Sequence, residues 1–116
     1  MMKLVLGLVV TSVAAITQTS ARIPPAAIAQ VVHANVDQFR ACYDHGRAKN
    51  PTLAGRVSTR FVIDANGGVS QAVSDPSTTL PDAAVVACVV ATFRSLKFPQ
   101  PKGGDVTVTY PFDFHD

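Results

Sequence analysis

The sequence has 116 residues, ten Lys and Arg against eight acidic side chains, and 47% hydrophobic residues. That length allows one domain and excludes a multidomain enzyme. A formal net charge of +2 offers no broad field for nucleic acid or an acidic membrane surface. The acids are all Asp and Trp is absent, so any acid–base chemistry would rest on Asp, His or Cys.

The N-terminus reads as an export signal. Lys3 is followed by an apolar run from Leu4 to Ile16, then the polar stretch Thr17-Gln18-Thr19-Ser20 and Ala21. One positive charge, a short greasy core and small residues at Thr19 and Ala21 form the three parts of a secretory signal peptide. The apolar run is shorter than the roughly 20 residues that cross a bilayer; extended through Thr17 to Ile23 it would instead read as an uncleaved anchor. The expectation is a signal peptide at residues 1–21, cleaved after Ala21, and an exported domain at residues 22–116. The membrane would be met only through that transient segment. The exported part keeps all eight Asp and loses only Lys3 among the cations, so it is nearly neutral.

The two cysteines, Cys42 and Cys88, predict a disulfide, because an even count in a small exported chain meets an oxidising compartment. Ile28, Val32, Val36, Phe39 and Tyr43 recur at intervals of three and four, which predicts one helix from Pro25 to Asn50 with Cys42 on its buried stripe. Gly46 is expected to weaken its last turn and Asn50-Pro51 to stop it. Gly55 to Asp64 alternates, with Val57, Thr59, Phe61 and Ile63 on one face and Arg56, Ser58, Arg60 and Val62 on the other, the pattern of a half-buried strand.

Ala65-Asn66-Gly67-Gly68 supplies the turn. A second strand follows from Val69 to Ser74, with a bulge expected near Ser70-Gln71 because its alternation breaks. Pro81-Asp82 opens a helix whose cap is expected at Thr79 or Leu80 and whose stripe includes Val85, Cys88 or Val89, Thr92 and Leu96. Phe98-Pro99 ends it. The last strand carries Val106, Val108, Tyr110, Phe112 and Phe114 at every second position. Pro111, on its other face, has no N–H and points to a sheet edge.

These elements predict an α+β fold, αββαβ, in which a three-stranded antiparallel sheet in the order 2-1-3 carries two helices on one face. An interhelix disulfide between Cys42 and Cys88 closes it.

The series Cys42-Tyr43, Asn50-Pro51, Leu53-x-Gly55-x-Val57, Phe61-x-Ile63, Gly68-Val69, Cys88-Val89, Phe98-Pro99-x-Pro101-x-Gly103-Gly104 and Tyr110-Pro111-Phe112-x-Phe114 resembles the AgmX/PglI-type C-terminal domain, a relative of the TonB C-terminal domain. The resemblance spans about Ile28 to Phe114. It implies a periplasmic or envelope-facing module without catalytic residues or cofactor, in which the edge of the last strand pairs with an extended peptide or a partner protein. Energy transduction is not carried over, because neither a long N-terminal membrane helix nor a Pro-rich spacer is read here.

On this basis the partner-binding edge is Val106, Thr107, Val108, Thr109 and Tyr110, a run without the lysine that commonly protects an edge. A structural or homodimerising domain is the alternative. Cys42-x-x-His45 with Cys88 and His33 or His115 offers zinc-type ligands, and a Cys–His hydrolase would need one of the two thiols as nucleophile. Both require reduced cysteines. Arg56 and Arg60 read as part of a solvated outer sheet face, and Tyr43 and Tyr110 as core residues with a polar tip.

Overall fold

A computed structural model describes residues 22–115 and the short strand Lys3–Val5. The elements, in chain order, are β1 (Lys3–Val5), α1 (Pro25–Ala34), α2 (Val36–Lys49), β2 (Gly55–Ile63), β3 (Val69–Ser74), α3 (Ala83–Arg94) and β4 (Val106–His115). The export signal read at residues 1–21 lies, apart from β1, outside the described residues.

The region expected as one long helix is two. Asn35, at φ −113° and ψ 15°, ends α1 and begins α2. Its side-chain amide donates to the Val31 carbonyl at 2.8 Å, and its side-chain oxygen accepts from the Gln38 side chain at 3.0 Å. Asn is a residue whose side chain competes with helical backbone bonds, so the break falls there while the apolar stripe continues through it. Ile28, Val32, Phe39, Cys42 and Tyr43 are all buried.

Gly46 is not merely a weak last turn. A β-carbon there would come within 2.5 Å of Val85 Cγ2 and 2.7 Å of Leu53 Cδ2, so its bareness lets α2 approach the start of α3. The cap of α3 is Asp82 rather than Thr79 or Leu80, its carboxylate accepting from the Ala84 and Val85 N–H groups at 3.0 Å each. That satisfies two of the orphan donors of the first turn.

β2 pairs antiparallel with β3 on one side and with β4 on the other, the expected 2-1-3 arrangement. The register between β2 and β3 passes from Val62↔Gln71 to Ile63↔Val69, leaving Ser70 as the extra residue of the expected bulge. In the connecting turn Asp64 Oδ1 accepts from Asn66 and Gly68 N–H. Gly67, at φ +88°, sits where a β-carbon would meet the Phe98 carbonyl oxygen at 2.1 Å. At the other edge β1 pairs antiparallel with β4, so the full order is β1-β4-β2-β3. The last strand is therefore not a bare edge along its whole length.

The core lies between the sheet and the helices. Alternate residues of the two central strands, Val57, Thr59, Phe61 and Ile63 with Val106, Val108, Tyr110, Phe112 and Phe114, are buried. Phe93 from α3 lies at the centre, its ring 4.7 Å from Phe39, 4.8 Å from Phe61 and 5.9 Å from Phe112. One ring thus joins α2, α3, β2 and β4. Phe93→Ala is expected to cost about 3–5 kcal/mol through lost transfer energy and an unfilled cavity, read as a lower midpoint in urea unfolding with an unchanged slope.

Candidate functional site

The disulfide forms as read. Cys42 on α2 and Cys88 on α3 are bonded, with 5.6 Å between their Cα atoms. Cys42 is buried and Cys88 is exposed, so the bridge reaches from the core to the surface. It borders a cleft of about 400 Å³ that His45, Gly46, Lys49 and Asp82 also line. The Cys42-x-x-His45 arrangement has no thiolate to offer while the bridge is closed. Among the described residues no three His, Cys, Asp or Glu side chains gather as a metal site. His33 and His45 are exposed helix residues.

The edge of β4 is defined by the direction of its backbone. Neighbouring residues of a strand send their N–H and C=O groups to opposite sides, and facing antiparallel residues alternate between bonded and non-bonded pairs. The Ser58 carbonyl accepts from Asp75 N–H at 2.7 Å, and its N–H donates to Thr78 Oγ1 at 3.0 Å. Arg56 likewise turns its backbone to Thr79 and Leu80. Ser58 and Arg56 therefore face the β3 side. Their β4 partners, Pro111 and Asp113, must face away from β2.

It follows that Thr107, Thr109, Pro111, Asp113 and His115 present their backbone to the outer edge, while Val106, Val108, Tyr110, Phe112 and Phe114 bond to β2. Pro111 is tolerated because its missing N–H is not asked for by β2. Of the expected edge residues, Thr107 and Thr109 supply outward backbone groups. Val106, Val108 and Tyr110 point their side chains into the core and anchor the strand. Among the described residues the strand pairing on that outer side is β1 at Asp113–His115, beyond the run read from the sequence.

The outer sheet face is less uniformly solvated than the alternation suggests. Ser58 and Pro111, facing each other across the ladder, are both buried, and Arg56 pairs across the strands with Asp113, Nε to Oδ1 at 2.8 Å. This ion pair was not visible in the sequence, since it depends on the register of residues 57 positions apart. At 38% and 25% side-chain exposure such a pair is worth at most about 1 kcal/mol. Arg60 remains exposed.

On the core face Thr59 Oγ1 and Tyr110 Oη are buried without a hydrogen-bond partner among the described residues, and their residues face each other across β2 and β4. Tyr43 differs, since its hydroxyl donates to the Leu53 carbonyl. Tyr110 thus has no polar tip at the rim. Burial pushes its phenol well above the ordinary range, because the charged form would have to leave water. No helix among the described residues is long and apolar enough to cross a membrane.

The fold and site together define a disulfide-closed, two-layer α+β domain with a partly open strand edge. Compared with known proteins, the chain matches no family model, no curated protein and no solved structure.

Replacing Cys42 and Cys88 together by Ala is expected to lower stability by on the order of 4 kcal/mol, the chain-entropy value for a bridge of this span, measured by urea unfolding. The span is 46 residues. Tyr110 makes a pH-dependent prediction. Its folded pKa lies above the unfolded value of about 10, so its contribution is whole below that pH and is lost as the pH rises from there toward the folded value. Tyr110→Phe, which breaks no hydrogen bond, should leave neutral-pH stability unchanged or raise it by about 1 kcal/mol. It should also flatten the alkaline fall in the unfolding midpoint.

Proposed function

We propose that this chain is an exported, non-enzymatic protein-interaction module of the periplasm or cell envelope, resembling the TonB C-terminal domain, and that it binds an extended segment of an envelope protein by strand addition along β4. The observation that carries this reading is the outward backbone of Thr107 and Thr109, next to which the described residues place no strand. Unpaired donors and acceptors on a strand edge are satisfied by an incoming extended chain, with main-chain bonds supplying the affinity. The segment Val106–Phe112 carries no Lys, so the usual electrostatic guard against edge pairing is missing.

The disulfide and the dense aromatic core support the same reading, because a rigid sheet presents its edge without an ordering cost on the domain's side. With both sulfurs bonded to each other, the fold supplies no thiol nucleophile.

Thr107→Pro and Thr109→Pro each remove an outward N–H without touching the ladder to β2. Either substitution is expected to abolish capture of a specific partner from an envelope extract while leaving cooperative unfolding intact. A variant that retains the partner would refute binding at this edge. A second copy of the chain bound in place of a foreign protein would appear as a concentration-dependent dimer in sedimentation, and would make the edge a homodimer contact instead.

A further inference from the structure

The N-terminal strand bears on how much of this edge is open. β1 pairs antiparallel with β4 in the register Lys3↔His115, Leu4↔Phe114 and Val5↔Asp113. Asp113 and His115 are two of the five β4 residues whose backbone faces outward, so Val5 and Lys3 occupy bonded positions. The pairing ends at Val5, and the next outward-facing β4 residue beyond Asp113 is Pro111, which has no N–H to give. The outer edge is thereby divided by chemistry into two runs, Thr107–Thr109 and Asp113–His115, with a proline between them.

The chain's own connectivity favours β1 as the occupant of the second run. Arg22 exchanges backbone bonds with Lys102 at 2.7 and 2.8 Å. Lys102 lies just before the start of β4, whereas β1 lies at its end. Residues 6–21 join the two places, and at about 3.3 Å per residue they reach about 50 Å. The ten residues of β4 extend over about 33 Å at strand spacing. The antiparallel direction also carries β1 toward Lys102 rather than away from it. Because β1 belongs to the same chain, its pairing is intramolecular, and a second copy at ordinary dilution competes poorly with it.

We propose that Lys3–Val5 is an edge cap, an intramolecular strand that closes the Asp113–His115 run of β4 while residues 1–21 remain attached and leaves only the Thr107–Thr109 run to a partner. Removal of the N-terminal segment then opens the second run. For the partner this rests on the strand-addition reading, but the cap itself does not.

Amide hydrogen exchange on the oxidised full chain tests the cap with no partner present, so its failure is separate from failure of the partner reading. The Asp113 and His115 amides are expected to exchange at least about tenfold more slowly than those of Thr107 and Thr109. The substitutions Lys3→Pro and Val5→Pro together remove both N–H groups that face β4, and should bring Asp113 and His115 to the faster rate. The Phe112 and Phe114 amides, which face β2, should stay protected in both chains and report that the fold is intact. Equal rates at all four outward amides in the full chain would overturn the proposal. So would protection of Asp113 and His115 that survives the two prolines, or protection that disappears on dilution, which would assign the run to a second copy.

Discussion

The ladder between β2 and β4 governs the rest of the molecule. Its nine pairs, from Gly55↔Phe114 to Ile63↔Val106, fix three things at once. They set which side chains enter the core, because alternate residues share a face. They set which backbone groups are used internally and which are turned outward, because bonded pairs alternate. They also bring Arg56 to Asp113 on the outer face. A slip of one residue would exchange Phe112 and Phe114 for Asp113 and His115 in the core. The aromatic cluster around Phe93 makes that slip prohibitive, so the edge is held in place by the core.

The disulfide acts on a different part of the problem. α2 and α3 approach closely at Gly46 and Val85, and the Cys42–Cys88 bond crosses the same helix pair. Packing and covalent linkage therefore fix the position of the helical layer over the sheet. Linking residues far apart in the chain restricts the unfolded ensemble, which matters for a domain this small. One part of the core runs against the general economy of folding. Thr59 and Tyr110 each bury a polar atom that has no partner among the described residues, a cost that the surrounding aromatic packing offsets.

Much of this was legible in the sequence, and the reason differs from element to element. The strands declared themselves through strict alternation, Val57 to Ile63 and Val106 to Phe114, and the bulge through the break in that alternation at Ser70. The disulfide followed from the count of two cysteines in a small chain whose opening residues have the pattern of an export signal. The break at Asn35 was hidden because the apolar stripe runs on with helical spacing through a residue that interrupts only the backbone bonds. The sequence pattern puts Asp82 inside the helix rather than at its cap, a matter of one or two positions that depends on which oxygen reaches which N–H. The Arg56–Asp113 pair and the pairing of Lys3–Val5 depend on the three-dimensional register, to which no local pattern refers.

The edge itself occupies a middle position, and Pro111 shows why. Proline in a strand was read as a mark of the sheet edge, and the conclusion that its nitrogen faces away from the neighbouring strand was already implicit in that reading. Once the nitrogen of Pro111 is known to face outward, the strand period assigns the same direction to Thr107, Thr109, Asp113 and His115 with no further information. The residues that present bonding groups to an incoming strand are then the odd-numbered ones. The even-numbered residues of the same run, Val106, Val108 and Tyr110, act through the core. The proline therefore does more than blunt an edge against unwanted pairing. It divides one continuous acceptor into two short ones, and an added strand must satisfy either Thr107–Thr109 or Asp113–His115, or cross a position that offers a carbonyl and no N–H.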